Sequence, residues 1–216
     1  MFIPLPCLCL IVDPNRIKIE NFPEIVDQAI NGGVNMVQLR ANNLSYEDRL
    51  SLALALKKSI AERAMFIINN DIDLAITVDA HGVHFKESFS KVSEWIETFT
   101  QPFVVGQSVH SLKTAIKAEN DGVDYVIVGT MYPSQSHPSK PPEGTRLLEQ
   151  IVPRLKIPCL GIGGINKSNV AKVINIGAKG VVVIGAINDA TDPYSSTKKL
   201  ADNISTTYSI QVGKIS

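Results

Sequence analysis

The chain has 216 residues, 44% of them hydrophobic, which suits one globular domain with a substantial buried core and not a disordered chain. Twenty-one Lys and Arg balance twenty-one Asp and Glu, so no global field draws nucleic acid or an anionic membrane. Any anion must therefore be held by a local site.

The opening stretch, residues 1–12, is apolar but holds two prolines, lacks a basic start and runs straight into Asp13-Pro14. It reads as a buried strand over Cys7–Val12, not as a membrane span or a signal peptide. Cys7, Cys9 and Cys159 form an odd set without metal-type clustering, so they read as small buried hydrophobes of a reducing, cytoplasmic chain.

Further apolar runs follow at Met36–Leu39, 64–68, Gly82–Phe85, 103–106, Tyr125–Val128, 158–161 and 180–184. They are short, rich in β-branched residues and mostly without polar alternation, the pattern of parallel strands covered on both faces. Longer amphipathic stretches separate them. Leu50, Ala53, Leu54 and Ile60 mark a helix continuing to about Arg63. Leu147, Leu148, Ile151, Val152 and Leu155 form one apolar stripe, and Val170, Val173, Ile174 and Gly177 another. Gly33-Val34, Gly82-Val83, Gly122-Val123 and Gly177-Ala178 each stand between a helical pattern and a strand, where glycine can close a helix in the left-handed conformation. Eight such units at roughly 27 residues each predict a single (β/α)8 TIM barrel over 1–216. A doubly wound sheet would need a glycine-rich turn after its first strand. The only candidate, Gly161-Ile162-Gly163-Gly164, lies near the other end of the chain.

In such a barrel the active site forms at the C-terminal strand ends. Those ends carry Asp13, Arg40, Asn69-Asn70-Asp71, Glu87, Ser108-Val109-His110, Thr130, Gly163-Gly164 and Gly185. After the last two strands, bare amides around Gly163, Gly164, Ile184 and Gly185 suit a phosphate cup that needs no lysine; tight turns are the plainer reading. The Arg40 guanidinium suits phosphate or carboxylate oxygens, or an ion pair with a neighbouring loop. Asp71 reads as a helix cap. His84, His110 and His137 are the acid–base candidates, with surface or packing roles as alternatives. His137 lies in a proline-rich stretch, 132–144, long enough to form a lid.

Taken in order, Val37-Gln-Leu-Arg40, Ile67-Ile-Asn-Asn-Asp-Ile-Asp-Leu-Ala75, Gly82-Val-His84, Gly106-Gln-Ser-Val-His-Ser111, Asp124-Tyr-Val-Ile-Val-Gly129, 158–165 and 183–187 resemble the thiamine phosphate synthase and TenI superfamily of small barrels. The resemblance implies a homodimer and a thiazole phosphate held around Gly163, Gly164, Ile184 and Gly185. In the synthase branch a pyrimidine pyrophosphate ionises and the thiazole nitrogen attacks the carbocation. Its leaving group is held by Mg²⁺, by the arginine matching Arg40 and by the serine matching Ser108; Asn69, Asn70 and Thr130 line the same substrate region.

Several family positions differ. Its two metal-binding aspartates fall at Asn70 and Phe89, and two expected lysines at Asn42 and His137. Thr130 stands where the TenI branch can carry a histidine. The expectation drawn is a TenI-like, tautomerase-type protein that binds a thiazole phosphate without a metal. A thiamine phosphate synthase using Mg²⁺ is the first alternative and a non-catalytic phosphate-ligand sensor the second. No nucleic-acid or membrane partner is expected.

Overall fold

The computed structural model describes residues 2–16, 18–99, 101–134 and 144–213. Among them, β1 (Cys7–Val12), β2 (Met36–Leu39), β3 (Met65–Asn69), β4 (Gly82–Phe85), β5 (Val104–Val109), β6 (Tyr125–Val128), β7 (Cys159–Ile162) and β8 (Gly180–Val183) close into a barrel in chain order. Every neighbouring pair is parallel, and β8 closes on β1 with Cys9 opposite Val182. This is the (β/α)8 TIM barrel that the alternation of patterns predicts.

Side chains alternate between two apolar layers. Cys9, Met36, Ile67, Tyr125, Leu160 and Val182 fill the barrel interior. Leu8, Val37, Phe66, Val83, Val126 and Val181 face the helices outside. Both faces are buried, so the strands carry no solvent-facing polar residues for a period of two to show. The three cysteines are free and buried, and burial pushes all three thiols up, Cys159 to about 12.

Outside the barrel lie α1 (Phe22–Gly32), α2 (Tyr46–Ile60), α3 (Ile72–Thr77), α4 (Val92–Ile96), α5 (Leu112–Asn120), α6 (Arg146–Ile151), α7 (Val170–Asn175), α8 (Gly185–Asn188) and α9 (Pro193–Gly213), with α1 packed on α2 and α9, and α7 on α9. Ser45 caps α2 by accepting from the Asp48 amide. The helix stops at Ile60 because Ala61 and Glu62 turn left-handed, three residues short of the expected Arg63. Its buried face is Leu52, Ala53, Leu56 and Ile60, whereas Leu54, expected inside, is half exposed.

Gly82 also departs from expectation. It opens β4 instead of closing a helix, and Asp79 takes the left-handed conformation before it. Glycine is required at 82 because a Cβ would lie 2.0 Å from the Val104 carbonyl oxygen. Among the described residues no helix is long and apolar enough to cross a membrane.

Candidate functional site

The C-terminal strand ends open into a cavity of about 610 Å³. Its floor is the last inward-facing ring of the strands. Gln38, Asn69, His84 and Ser108 occupy positions on β2 to β5 that face the interior, where polar side chains replace the aliphatic filling below.

These floor residues bond to one another. Gln38 Nε2 donates to Asn69 Oδ1 at 2.9 Å. His84 reaches Tyr125 Oη at 3.2 Å through Nδ1 and Ser108 Oγ at 2.9 Å through Nε2. Burial pulls the His84 imidazole down to about 3, so it is neutral at physiological pH. Gln38 Oε1 is buried at the cavity with no partner in the described chain. A native buried acceptor of that kind calls for a ligand or a water. Sequence reading assigned Gln38 no role, although a lone polar residue in an apolar strand was the available signal. It also placed Ser108 beyond its strand. β5 instead continues to Val109, with Ser108 opposite Ile127 on β6, because the polar residues Gln107 and Ser108 still pair in the ladder.

Above the floor, Arg40 follows β2 and lies beside Asp13, which follows β1, their pairing set by the Val12–Leu39 register. The alternatives left open for Arg40 both hold geometrically: it pairs with Asp13 and lines the cavity. Asn70 is left-handed; its amide donates to the His84 carbonyl at 2.9 Å and its Oδ1 accepts from the Lys86 amide at 2.8 Å. It thereby fixes the loop after β4. Lys86 and Arg16 also line the cavity and were not singled out in the sequence, Arg16 pairing with Asp189 at the end of the short helix Gly185–Asn188.

Asp71 caps α3 (Ile72–Thr77) by accepting from the Leu74 amide, and pairs with Arg49 at 3.2 Å. Glu87 accepts from Thr114 Oγ1 at 2.6 Å and from the His110 amide at 2.8 Å. Burial alone would raise its carboxyl, but these bonds and the nearby His110 hold it below the usual carboxylate value. His110 thus sits at the mouth with Nδ1 3.2 Å from Glu87. His81 is half-buried and accepts from the Phe66 amide. His137 lies outside the described residues.

The turns after β7 and β8 are neighbours, since Ile162 pairs with Val182, and both line the cavity. Gly163 and Gly164 have φ of 105° and 59°. A Cβ on Gly164 would come within 2.4 Å of the Pro133 carbonyl oxygen, so the segment after β6 packs directly on this turn. α8 (Gly185–Asn188) starts immediately beyond β8. Among the described residues, the amides of Gly163, Gly164, Ile184 and Gly185 have no acceptor in the chain. Thr130 lines the same wall.

The donor set does not fit a protein-built Mg²⁺ site. Such a site takes one or two carboxylates together with substrate oxygens. The acidic groups near the mouth, Asp13, Asp71, Glu87 and Asp189, are each engaged by a cation or an N-H or O-H donor. Asn70 is a loop staple and Phe89 stacks on Phe85 at 4.2 Å, so neither supplies a carboxylate.

A family model described as thiamine monophosphate synthase matches residues 8–187. The thiamine-phosphate synthase of Haloquadratum walsbyi is 34% identical over 201 residues, covering 91% of this chain and 90% of that protein. That of Listeria welshimeri is 38% identical over 178 residues, covering 79% and 86%. The solved structure of a thiamine phosphate pyrophosphorylase from Pyrococcus furiosus matches with a TM-score of 0.83 at 31% identity, covering 93% of this chain and 96% of that one. A 3-hexulose-6-phosphate synthase, 19% identical with a TM-score of 0.75, shares the fold alone. These relatives overturn the tautomerase-type expectation. That expectation rested on the changes at Asn70 and Phe89, but proteins alike over most of the chain carry the synthase name.

Proposed function

This chain belongs to the thiamine monophosphate synthase family, and from that premise we propose that it is a transferase joining a pyrimidine pyrophosphate to a thiazole phosphate. The observation that carries the site reading is a set of four amides without an acceptor among the described residues, Gly163, Gly164, Ile184 and Gly185, on adjoining turns of one cavity. Oriented amides of this kind bind phosphate oxygens without needing a side-chain charge. They receive the thiazole phosphate.

The pyrimidine lies across the floor, where Gln38 Oε1 accepts an N–H and Asn69 keeps the Gln38 amide oriented. Its diphosphate extends toward Arg40, Lys86 and Ser108. The carbon–oxygen bond to the diphosphate breaks, and the leaving group takes the electron pair. The lone pair of the thiazole nitrogen then forms the new carbon–nitrogen bond, giving thiamine phosphate and diphosphate. Cationic and hydroxyl donors at the leaving group stabilise charge that develops as the bond breaks. No step of this reading passes through a metal.

Incubating the chain with both substrates and following diphosphate release and thiamine phosphate formation tests the proposal. Product that requires both substrates is the expected result. Binding of both without product would overturn it.

A further inference from the structure

The floor of the cavity contains a hydrogen-bond chain whose direction can be worked out. β4, β5 and β6 bring His84, Gly106 and Tyr125 side by side, with Ser108 two residues further along β5. Gly106 leaves the space that the tyrosine ring fills, since a Cβ there would lie 2.2 Å from Tyr125 Cζ. The Tyr125 and His84 rings lie 5.5 Å apart, inclined by 30°. Tyr125 is wholly buried, and among the described residues its hydroxyl has one partner, His84 Nδ1.

A neutral imidazole carries one N–H and one acceptor nitrogen. If Nδ1 held the proton, it would donate to the tyrosine oxygen and leave the tyrosine proton orphaned in the core. An unmade buried bond of that kind leaves the full desolvation penalty of the hydroxyl uncompensated. The tyrosine therefore donates to Nδ1, and Nε2 carries the imidazole proton. Nε2–H donates in turn to Ser108 Oγ at 2.9 Å. With that lone pair occupied, the proton of Ser108 is left to point into the cavity.

We propose that Tyr125 and His84 are positioning residues that hold the Ser108 hydroxyl as a donor toward the diphosphate. The assignment rests on the synthase reading for the identity of that anion. Its physical content is the direction of the chain. A serine that donated to Nε2 would face the anion with a lone pair, and like partial charges would repel.

The test uses the full chain labelled with ¹⁵N-histidine. The His84 signal, identified by its loss in His84→Gln, is expected to show protonated Nε2 and unprotonated Nδ1. A protonated Nδ1 in the wild type would overturn the proposal whatever the variants do. Inorganic diphosphate, titrated calorimetrically, is expected to bind Tyr125→Phe about tenfold more weakly than wild type, as is Ser108→Ala. The double variant is expected to be no weaker than Ser108→Ala alone, because both changes remove one donor. Wild-type affinity in a folded Tyr125→Phe, or full additivity in the double variant, would also overturn it. Failure of the wild type to bind diphosphate would count instead against the synthase reading.

Discussion

Asp13 Oδ2 accepts from both Nε and Nη2 of Arg40, at 3.2 and 2.5 Å, tying the end of β1 to the end of β2. Burial by itself would raise the Asp13 carboxyl. Hydrogen bonds from Arg40 and the Asn15 amide, with the Arg40 charge, outweigh it and hold the group below its usual value. Arg40→Ala leaves that carboxylate buried without its cation, held among the described residues only by Asn15, so urea unfolding at pH 7 should show a loss of about 2–4 kcal/mol. The lowered pKa gives the sign: the pair's contribution is present above the unfolded-state value and is lost as pH falls through the folded one. The difference between wild type and variant should therefore shrink below about pH 4. A difference that stays constant down to pH 2 would sink the assignment.

His84 supplies a second pH dependence. Its imidazole falls from 6.5 to about 3 on burial. Between those values the unfolded chain binds a proton that the folded chain does not, so stability declines as pH drops, by about 2 kcal/mol between pH 7 and pH 5. His84→Gln should lack this component. The measurement is the difference between the two stability-versus-pH curves, and parallel curves would argue that His84 titrates normally.

Two glycines of the proposed phosphate cup should respond differently. A Cβ at Gly185 meets the side-chain ends of Asp189 and Arg16, at 2.5 and 3.1 Å, which can move aside. Gly185→Ala should weaken thiazole phosphate binding about tenfold while changing stability by less than about 1 kcal/mol. At Gly164 the Cβ meets the Pro133 backbone at 2.4 Å and φ is +59°, so Gly164→Ala should cost about 1–3 kcal/mol of folding stability as well. Calorimetry and denaturation together separate the two outcomes. Equal stability losses would contradict the geometry.

Introducing carboxylates at positions 70 and 89 should create a metal dependence. Asp at 70 can keep the acceptor that holds the Lys86 amide, and Asp at 89 removes a ring stacked on Phe85. In Asn70→Asp/Phe89→Asp, EDTA should weaken inorganic diphosphate binding about tenfold more than it does in wild type. Equal sensitivity in both chains would show that the native donors already hold the ion.

The barrel was legible because parallel strands covered on both faces leave uninterrupted apolar runs, such as Cys7–Val12 and Tyr125–Val128, whose bounds the structure reproduces. Asp71 was legible as a cap because capping is decided within three residues. Leu54 was misread because an apolar residue on a helix records a tendency to be buried, while the neighbouring strands decide which side is covered. Gly82 was misread because the contact that demands glycine comes from Val104, on another strand.

What the sequence determined by itself was the order of elements and the glycines near the last two strand ends, since both follow from local backbone preference and hydrophobic period. What only the tertiary structure decided was who faces whom. Asp13 with Arg40, Gln38 with Asn69, and the run from Tyr125 through His84 to Ser108 join residues 24 to 41 positions apart. Hydrogen bonds act over about 3 Å, and strand register brings such distant positions within that reach.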